Sequence, residues 1–317
     1  MITKHQESPI ASHILMVRPA NFGYNEQTAE SNAFQQQDNT LTPEVIQNQA
    51  LAEFDQFIEK LQAAGVNIIV IEDTPQPKKT DAIFPNNWVT FHADGRIITY
   101  PMYAPVRRLE RREEVVRQLM QQFGFQDWVH LENAEADNLF LEGTGSMILD
   151  RTHRLAYACI SSRTDVALLH SFCEIAGYEP VAFRAVDGNG QDIYHTNVMM
   201  ALGTTFVVIC LDTIWDDSEH ALLLEKFQET SKEVVHISLA QMQAFAGNML
   251  QVQTTMGEPL LVMSEQAYLS LTKAQIEQLK QHTHLLHTPL YTIEKYGGGS
   301  ARGMMAGVFV PSQVSKK

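Results

Sequence analysis

The sequence predicts an α/β fold, a five-bladed propeller of pseudo-symmetric ββαβ modules in a single domain over residues 1–317. Two observations carry that reading. Amphipathic helix patterns alternate with short apolar runs. A small polar corner follows each helix-and-strand pair, and its spacing hardly varies. The corners are Phe84-Pro-Asn-Asn, Phe140-Leu-Glu-Gly, Tyr194-His-Thr-Asn, Ala246-Gly-Asn-Met and Gly299-Ser-Ala-Arg, whose first residues lie 56, 54, 52 and 53 apart.

Taken in order, the first helix runs from Thr42 to Ala64, with Thr42 as N-cap, Pro43 at the first helical position and Gly65 just beyond. The next four cover Val106 to Phe123, Asp165 to Ala176, Ser218 to Ser231 and Lys273 to His282. Gly124 and Gly177 stand where C-terminal stops belong. The strand-like runs that follow are Asn67 to Ile71, Trp128 to Leu131, Pro180 to Phe183, Val234 to Ser238 and Leu285 to Pro289. Each polar corner then leads into two further apolar runs. Such a module cannot bury both faces alone, so copies pack around a common axis. Matching corners then converge, which gathers Asn86, Asn87, Glu142, His195, Asn197, Asn248 and Arg302 into one central site. A conventional open α/β sheet is the alternative.

Composition excludes some functions. A net charge of −14 leaves no basic surface for phosphate neutralisation, so nucleic acid is not an expected partner. The one basic run, Arg107, Arg108, Arg111 and Arg112, alternates with Glu110, Glu113 and Glu114 and reads as a solvated helix face. The longest apolar run, Phe206 to Leu211, is strand-sized, so no membrane span is expected. Met1 to Glu7 lacks the apolar stretch of a signal peptide. Cys159, Cys173 and Cys210 show no paired or metal-like spacing, and all three read as buried structural thiols in a cytoplasmic protein.

Chemistry is expected at the corners. Glu142 and His195 occupy equivalent points of successive modules, and a carboxylate beside an imidazole orients the ring and raises its pKa. His282, His284 and His287 span a helix end and strand start without Cys or carboxylate ligands, so no metal is expected. The glycine triplet from Gly297 precedes a strand and lacks the Walker lysine, so it is no phosphate loop, and no cofactor is expected. Asp187-Gly-Asn-Gly reads as a turn, and Met199, Met200, Met304 and Met305 as core and pocket wall.

Leu-Glu-Gly in the second corner, His-x-Asn in the third and Ile160-Ser-Ser-Arg-Thr resemble the pentein superfamily of arginine deiminases, dimethylarginine hydrolases and amidinotransferases. The chain is most similar to a bacterial subgroup of citrulline-utilisation hydrolases, also named amidinotransferases. That subgroup carries Phe-Pro-Asn-Asn-Trp-Val, Tyr-His-Thr-Asn-Val-Met-Met and Gly-Gly-Gly-Ser-x-Arg-Cys-Met. This sequence matches along Phe84 to Val89, Tyr194 to Met200 and Gly297 to Met304. The resemblance implies attack by a cysteine thiolate on an amidine or ureido carbon. It makes His195 the acid–base, Glu142 its partner, and Arg163 the anchor for a substrate carboxylate. Asn87 and Asn197 stand where arginine-using relatives have acids, which suits a neutral ureido group.

One departure is decisive for activity. Gly303 occupies the position of the nucleophilic cysteine, and glycine offers no attacking atom. The expected function is therefore that of a C–N hydrolase relative, inactive as written, acting on or descended from enzymes acting on citrulline or an arginine derivative. The alternatives are a non-catalytic amino-acid-binding protein and an amidinotransferase. The expected partner is a small amino acid. Oligomeric state stays open, a homo-oligomer included.

Overall fold

In the computed structural model, which describes residues 8–312, each predicted helix joins two parallel strands. The signal-peptide reading at Met1 to Glu7 lies outside the described residues. β1 (His13–Arg18) and β2 (Asn67–Glu72) flank the helix Pro43–Ala63. β3 (Val89–Phe91) pairs antiparallel with β4 (Arg96–Thr99), which pairs parallel with β5 (Asp127–His130). The pattern recurs in β6 (Ile148–Asp150), β7 (Leu155–Cys159) and β8 (Glu179–Phe183). It recurs again in β9 (Met200–Leu202), β10 (Phe206–Ile209) and β11 (Glu233–His236). A further copy is β12 (Leu250–Gln253), β13 (Pro259–Ser264) and β14 (His284–Thr288). β15 (Ala306–Val308) returns antiparallel to β1, so the chain's end completes its first unit.

The repeat has a physical cause. Antiparallel neighbours can be joined by a short turn, whereas parallel neighbours need a crossover, here always helical. A single bridge between Val308 and Phe91 ties β15 to β3, giving one six-stranded sheet, and the other three units remain separate three-stranded sheets. The fold is α/β, with four sheets rather than one closed barrel. The first strand of every unit, β3, β6, β9, β12 and β15, lines one cavity of about 70 Å³.

Local sequence sets the helix ends as expected. Thr42 Oγ1 accepts from the Val45 amide at 3.3 Å, Asp165 caps the helix Val166–Ala176, and Gly124 and Gly177 take left-handed conformations. Phe54, Phe57 and Leu61 of the first helix bury against Ile14 and Met16 of β1. The predicted helix from Val106 to Phe123 is broken into Pro105–Arg108 and Glu113–Phe123. Its charged residues divide: Glu113 and Glu114 are exposed as on a solvated face, but Arg107 and Glu110 are each 3% exposed and turn inward. No helix of the described residues is long and apolar enough to cross a membrane.

Candidate active site

The polar corners fold as single tight turns, which aim side chains inward without lengthening the strands. The first is a 3-10 turn over Pro85–Asn87, the second a helical turn over Gly143–Ser146, the third a 3-10 turn over Thr196–Val198. The last is the turn Ala301–Met304, which contains Gly303. Gly143 has a φ of 50°, and a Cβ there would strike the Asn86 carbonyl. A Cβ on Gly145 would lie 2.8 Å from His195 Nδ1. These glycines let the first three corners touch.

A pocket with about 30 Å³ of room for water is walled by Asn87, His195, Asn197, Asn248 and Gly303, together with Arg163. Glu142 enters from behind His195: its Oε1 lies 2.7 Å from Nε2, and its Oε2 accepts from the Tyr103 amide at 2.9 Å. Burial pushes the Glu142 carboxyl up, but the His195 hydrogen bond and the Arg163 guanidinium outweigh it and hold it at about 2. Burial drives His195 down to about 4, against the pull of Glu142. The expectation of a raised imidazole pKa is corrected here, because desolvation of the ring exceeds the carboxylate's attraction. At neutral pH the ring is neutral, with Nε2–H donating to Glu142 and Nδ1 left as the basic atom.

The other expected residues divide. Asn87 is committed to the protein, accepting from Arg107 through Oδ1 at 2.9 Å and donating to Asn86 Oδ1 at 2.9 Å. Asn86 is fully buried and supports Asn87. The Asn197 carbonyl accepts from Asn248 Nδ2 at 2.9 Å, while its side-chain amide reaches the pocket without a hydrogen bond to the described protein. Arg163 lies over the Tyr194 ring at 4.6 Å, donates to Ser31 Oγ from Nε at 3.0 Å, and stands 3.6 Å from Glu142 Oε1. Arg302 does not join them. Its guanidinium donates to the Met305 carbonyl at 2.9 Å, and the residue lines the other cavity. The physical reason is the turn itself: consecutive residues 302 and 303 face opposite sides of it.

Sequence reasoning missed Asp81 and Arg107. Both line the pocket, and the Arg107 guanidinium forms a two-pronged pair with Glu110 at 2.9 and 3.0 Å, 3.8 Å from Asp81. Asp81 accepts from Asn25 at 2.7 Å through Oδ2, and its Oδ1 has no hydrogen-bond partner. The available signal was weak: Asp81 begins an otherwise apolar Asp-Ala-Ile-Phe run, and Arg107 hides among like residues. The three cysteines are buried free thiols, and burial pushes Cys159 and Cys173 up to about 12 and Cys210 to about 11. His282 pairs with Glu233 while His287 stacks on Tyr268, so the histidine trio does not converge.

Residues 18–310 match the family described as N,N dimethylarginine dimethylhydrolase, eukaryotic. The chain belongs to that family. The solved neighbours of this dimethylarginine dimethylhydrolase family member share its fold. ArgZ, an arginine dihydrolase from the ornithine-ammonia cycle in cyanobacteria, superposes with a TM-score of 0.73 at 17% identity, over 95% of this chain and 41% of that one. The chain thus spans about two fifths of that protein's length. The N-terminal domain of ArgZ bound to substrate matches at TM-score 0.72 and 17% identity, covering 94% of this chain and 98% of that one. A dimethylarginine dimethylaminohydrolase variant, as an adduct with S-methyl-L-thiocitrulline, gives 0.64 at 15% identity, over 94% and 99%. Among curated proteins no sequence matches.

Proposed function

We propose that this chain binds an α-amino acid with a ureido or guanidino tail at the His195 pocket and does not hydrolyse it. The observation that carries this reading is that Gly303 lines the same pocket as His195, Asn197 and Arg163. Hydrolysis of the pentein kind needs a nucleophile beside the acid–base, and the three thiols lie buried elsewhere. Recognition groups nevertheless remain. The Arg163 guanidinium attracts a carboxylate, and Asp81 Oδ1 accepts from an ammonium. The uncommitted amide of Asn197 offers donor and acceptor to a neutral ureido end, which favours citrulline.

Asp81 supports a second reading. A buried carboxylate oxygen without a hydrogen-bond partner suits a cation, and arginine brings one more than citrulline. Calorimetry with both amino acids separates the two, and a product assay on the same samples tests turnover. Binding without product supports the proposal; ammonia, ornithine or citrulline formed at a steady rate overturns it.

The closed five-unit ring belongs to the same reading. It is supported by the cavity common to all five first strands, by the β15–β3 bridge, and by the bridge from Ala11 to Val252 of β12. Three unpaired thiols fit a cytoplasmic location.

A further inference from the structure

Two serine hydroxyls join the backbones that carry Glu142, Arg163 and His195. Ser146, fully buried at the end of the turn Gly143–Ser146, accepts from the Glu142 amide at 2.8 Å. The same hydroxyl donates to the Arg163 carbonyl at 2.9 Å. Ser161 Oγ accepts from the Arg163 amide at 3.1 Å and donates to the Tyr194 carbonyl at 2.8 Å. The main chain of Arg163 is therefore gripped on both sides. The relay runs from Glu142 through Arg163 to the residue that precedes His195. One more bond closes it, because Thr196, next after His195, donates from Oγ1 to the Ser146 carbonyl at 2.6 Å. The pocket wall itself includes neither serine.

From this geometry we infer that Ser146 and Ser161 are positioning residues, which hold Arg163 in register with the Glu142–His195 pair. A hydroxyl is suited to both places, since it accepts one hydrogen bond while donating another. Donating while accepting also strengthens each bond of such a chain. Alanine at 146 takes from the Glu142 N–H and the Arg163 C=O the hydroxyl that both use, in a buried site where a lost partner is costly. Register matters because Glu142 Oε1 meets both groups, 2.7 Å from His195 Nε2 and 3.6 Å from Arg163 Nη1. A shift of the Arg163 main chain therefore disturbs the carboxylate as well as the guanidinium. As an effect on ligand affinity, this role rests on the amino-acid-binding reading of the pocket. As a hold on the His195–Glu142 contact, it does not.

The test compares Ser146→Ala and Ser161→Ala with Thr213→Val in the full chain. Thr213→Val removes another fully buried hydroxyl, bonded to the Cys210 carbonyl at 2.7 Å and outside the pocket wall. The first readout is the His195 Nε2–H proton resonance of the unliganded chain, which the short contact with Glu142 places downfield. It should move upfield in both serine variants, keep its native position in Thr213→Val, and return in Ser161→Thr, which restores the hydroxyl. The second readout is calorimetry with citrulline and with arginine, where Ser146→Ala should weaken the tighter ligand about tenfold. That loss should shrink in an Arg163→Met background, because the hydroxyl acts through Arg163. An unmoved resonance in both serine variants overturns the inference, and so does an equal shift in Thr213→Val. Fully additive losses with Arg163→Met overturn the coupling through Arg163. Should Ser146→Ala not fold, Ser161→Ala and Ser161→Thr decide by the same resonance. If the native chain binds neither amino acid, the proposed function falls, while the resonance still decides the role of the serines.

Discussion

His195 Nε2 lies 2.7 Å from Glu142 Oε1, and both side chains are almost wholly buried. The contact fixes the tautomer, while burial fixes the charge. His195 is expected to stay neutral in an NMR titration until about pH 4. Glu142→Gln should lower it further, because the carboxylate is the group that favours the imidazolium. The linkage sign follows. An imidazole whose folded pKa is depressed binds fewer protons than in the unfolded chain, so stability falls as pH drops from about 6.5 towards 4. Protonation at or above 6.5 would contradict the burial argument.

Arg107 should matter more to stability than any arginine near it. Its loss leaves Glu110 and Asp81 buried without their cation, a situation that costs about 3–5 kcal/mol. Arg107→Met should therefore lower the urea midpoint strongly. Arg117→Met, on the exposed pair with Glu113, should hardly move it. Equal effects from the two variants would return the basic run to the solvated face that its sequence suggests.

That run shows where sequence stopped being informative. Helices and strands were legible because each buries one side, so apolar periodicity, Thr42 and the closing glycines recorded their positions. The corner repeat located His195 and Glu142 for the same reason, since equivalent points of a repeated unit meet. Arg107 and Glu110 were illegible: a buried ion pair has the same letters as a surface one, and only tertiary partners distinguish them. Arg302 failed differently. Its corner was correctly placed, but one turn sends neighbouring residues to two cavities, which spacing cannot resolve.

Glu294 gives a pH dependence of opposite sign to that of His195. It is 1% exposed, accepts from Ser300 Oγ at 2.6 Å, and has an unpartnered Oε2. Burial raises its pKa from 4.5 to about 7. The folded chain then holds a proton that the unfolded chain has lost, so stability declines as pH rises from about 4.5 to 7. Glu294→Gln should be more stable than the native chain at pH 8, by on the order of 2 kcal/mol, with the gap closing towards pH 4.5. Glu110, also raised to about 7, is present in both chains and drops out of the difference. A gap that is constant across this range would mean that Glu294 does not titrate there.

Gly303→Cys is expected to supply the missing chemistry. Gly303 does not have the left-handed backbone that only glycine accepts easily, and a Cβ there would meet the Phe84 ring edge at 3.1 Å and Asn86 Oδ1 at 3.7 Å. A shift of a few tenths of an ångström in the ring accommodates it, at a stability cost of about 1–3 kcal/mol. The thiol then borders the pocket of His195, whose Nδ1 is the basic atom available to it. Burial raises a thiol, and formation of an imidazolium partner lowers it, so labelling by a haloacetamidine should quicken as pH rises. The native chain should resist the same reagent, since burial pushes its thiols up to between about 11 and 12. With nucleophile, base and orienting carboxylate acting as a unit, restoring one member should bring measurable ureido or amidine hydrolysis from a null background. His195→Ala in the same variant should abolish turnover while leaving a thiol that labels more slowly. A variant that folds and binds citrulline, yet neither labels nor turns over, would show that position 303 is not where the attacking atom belongs.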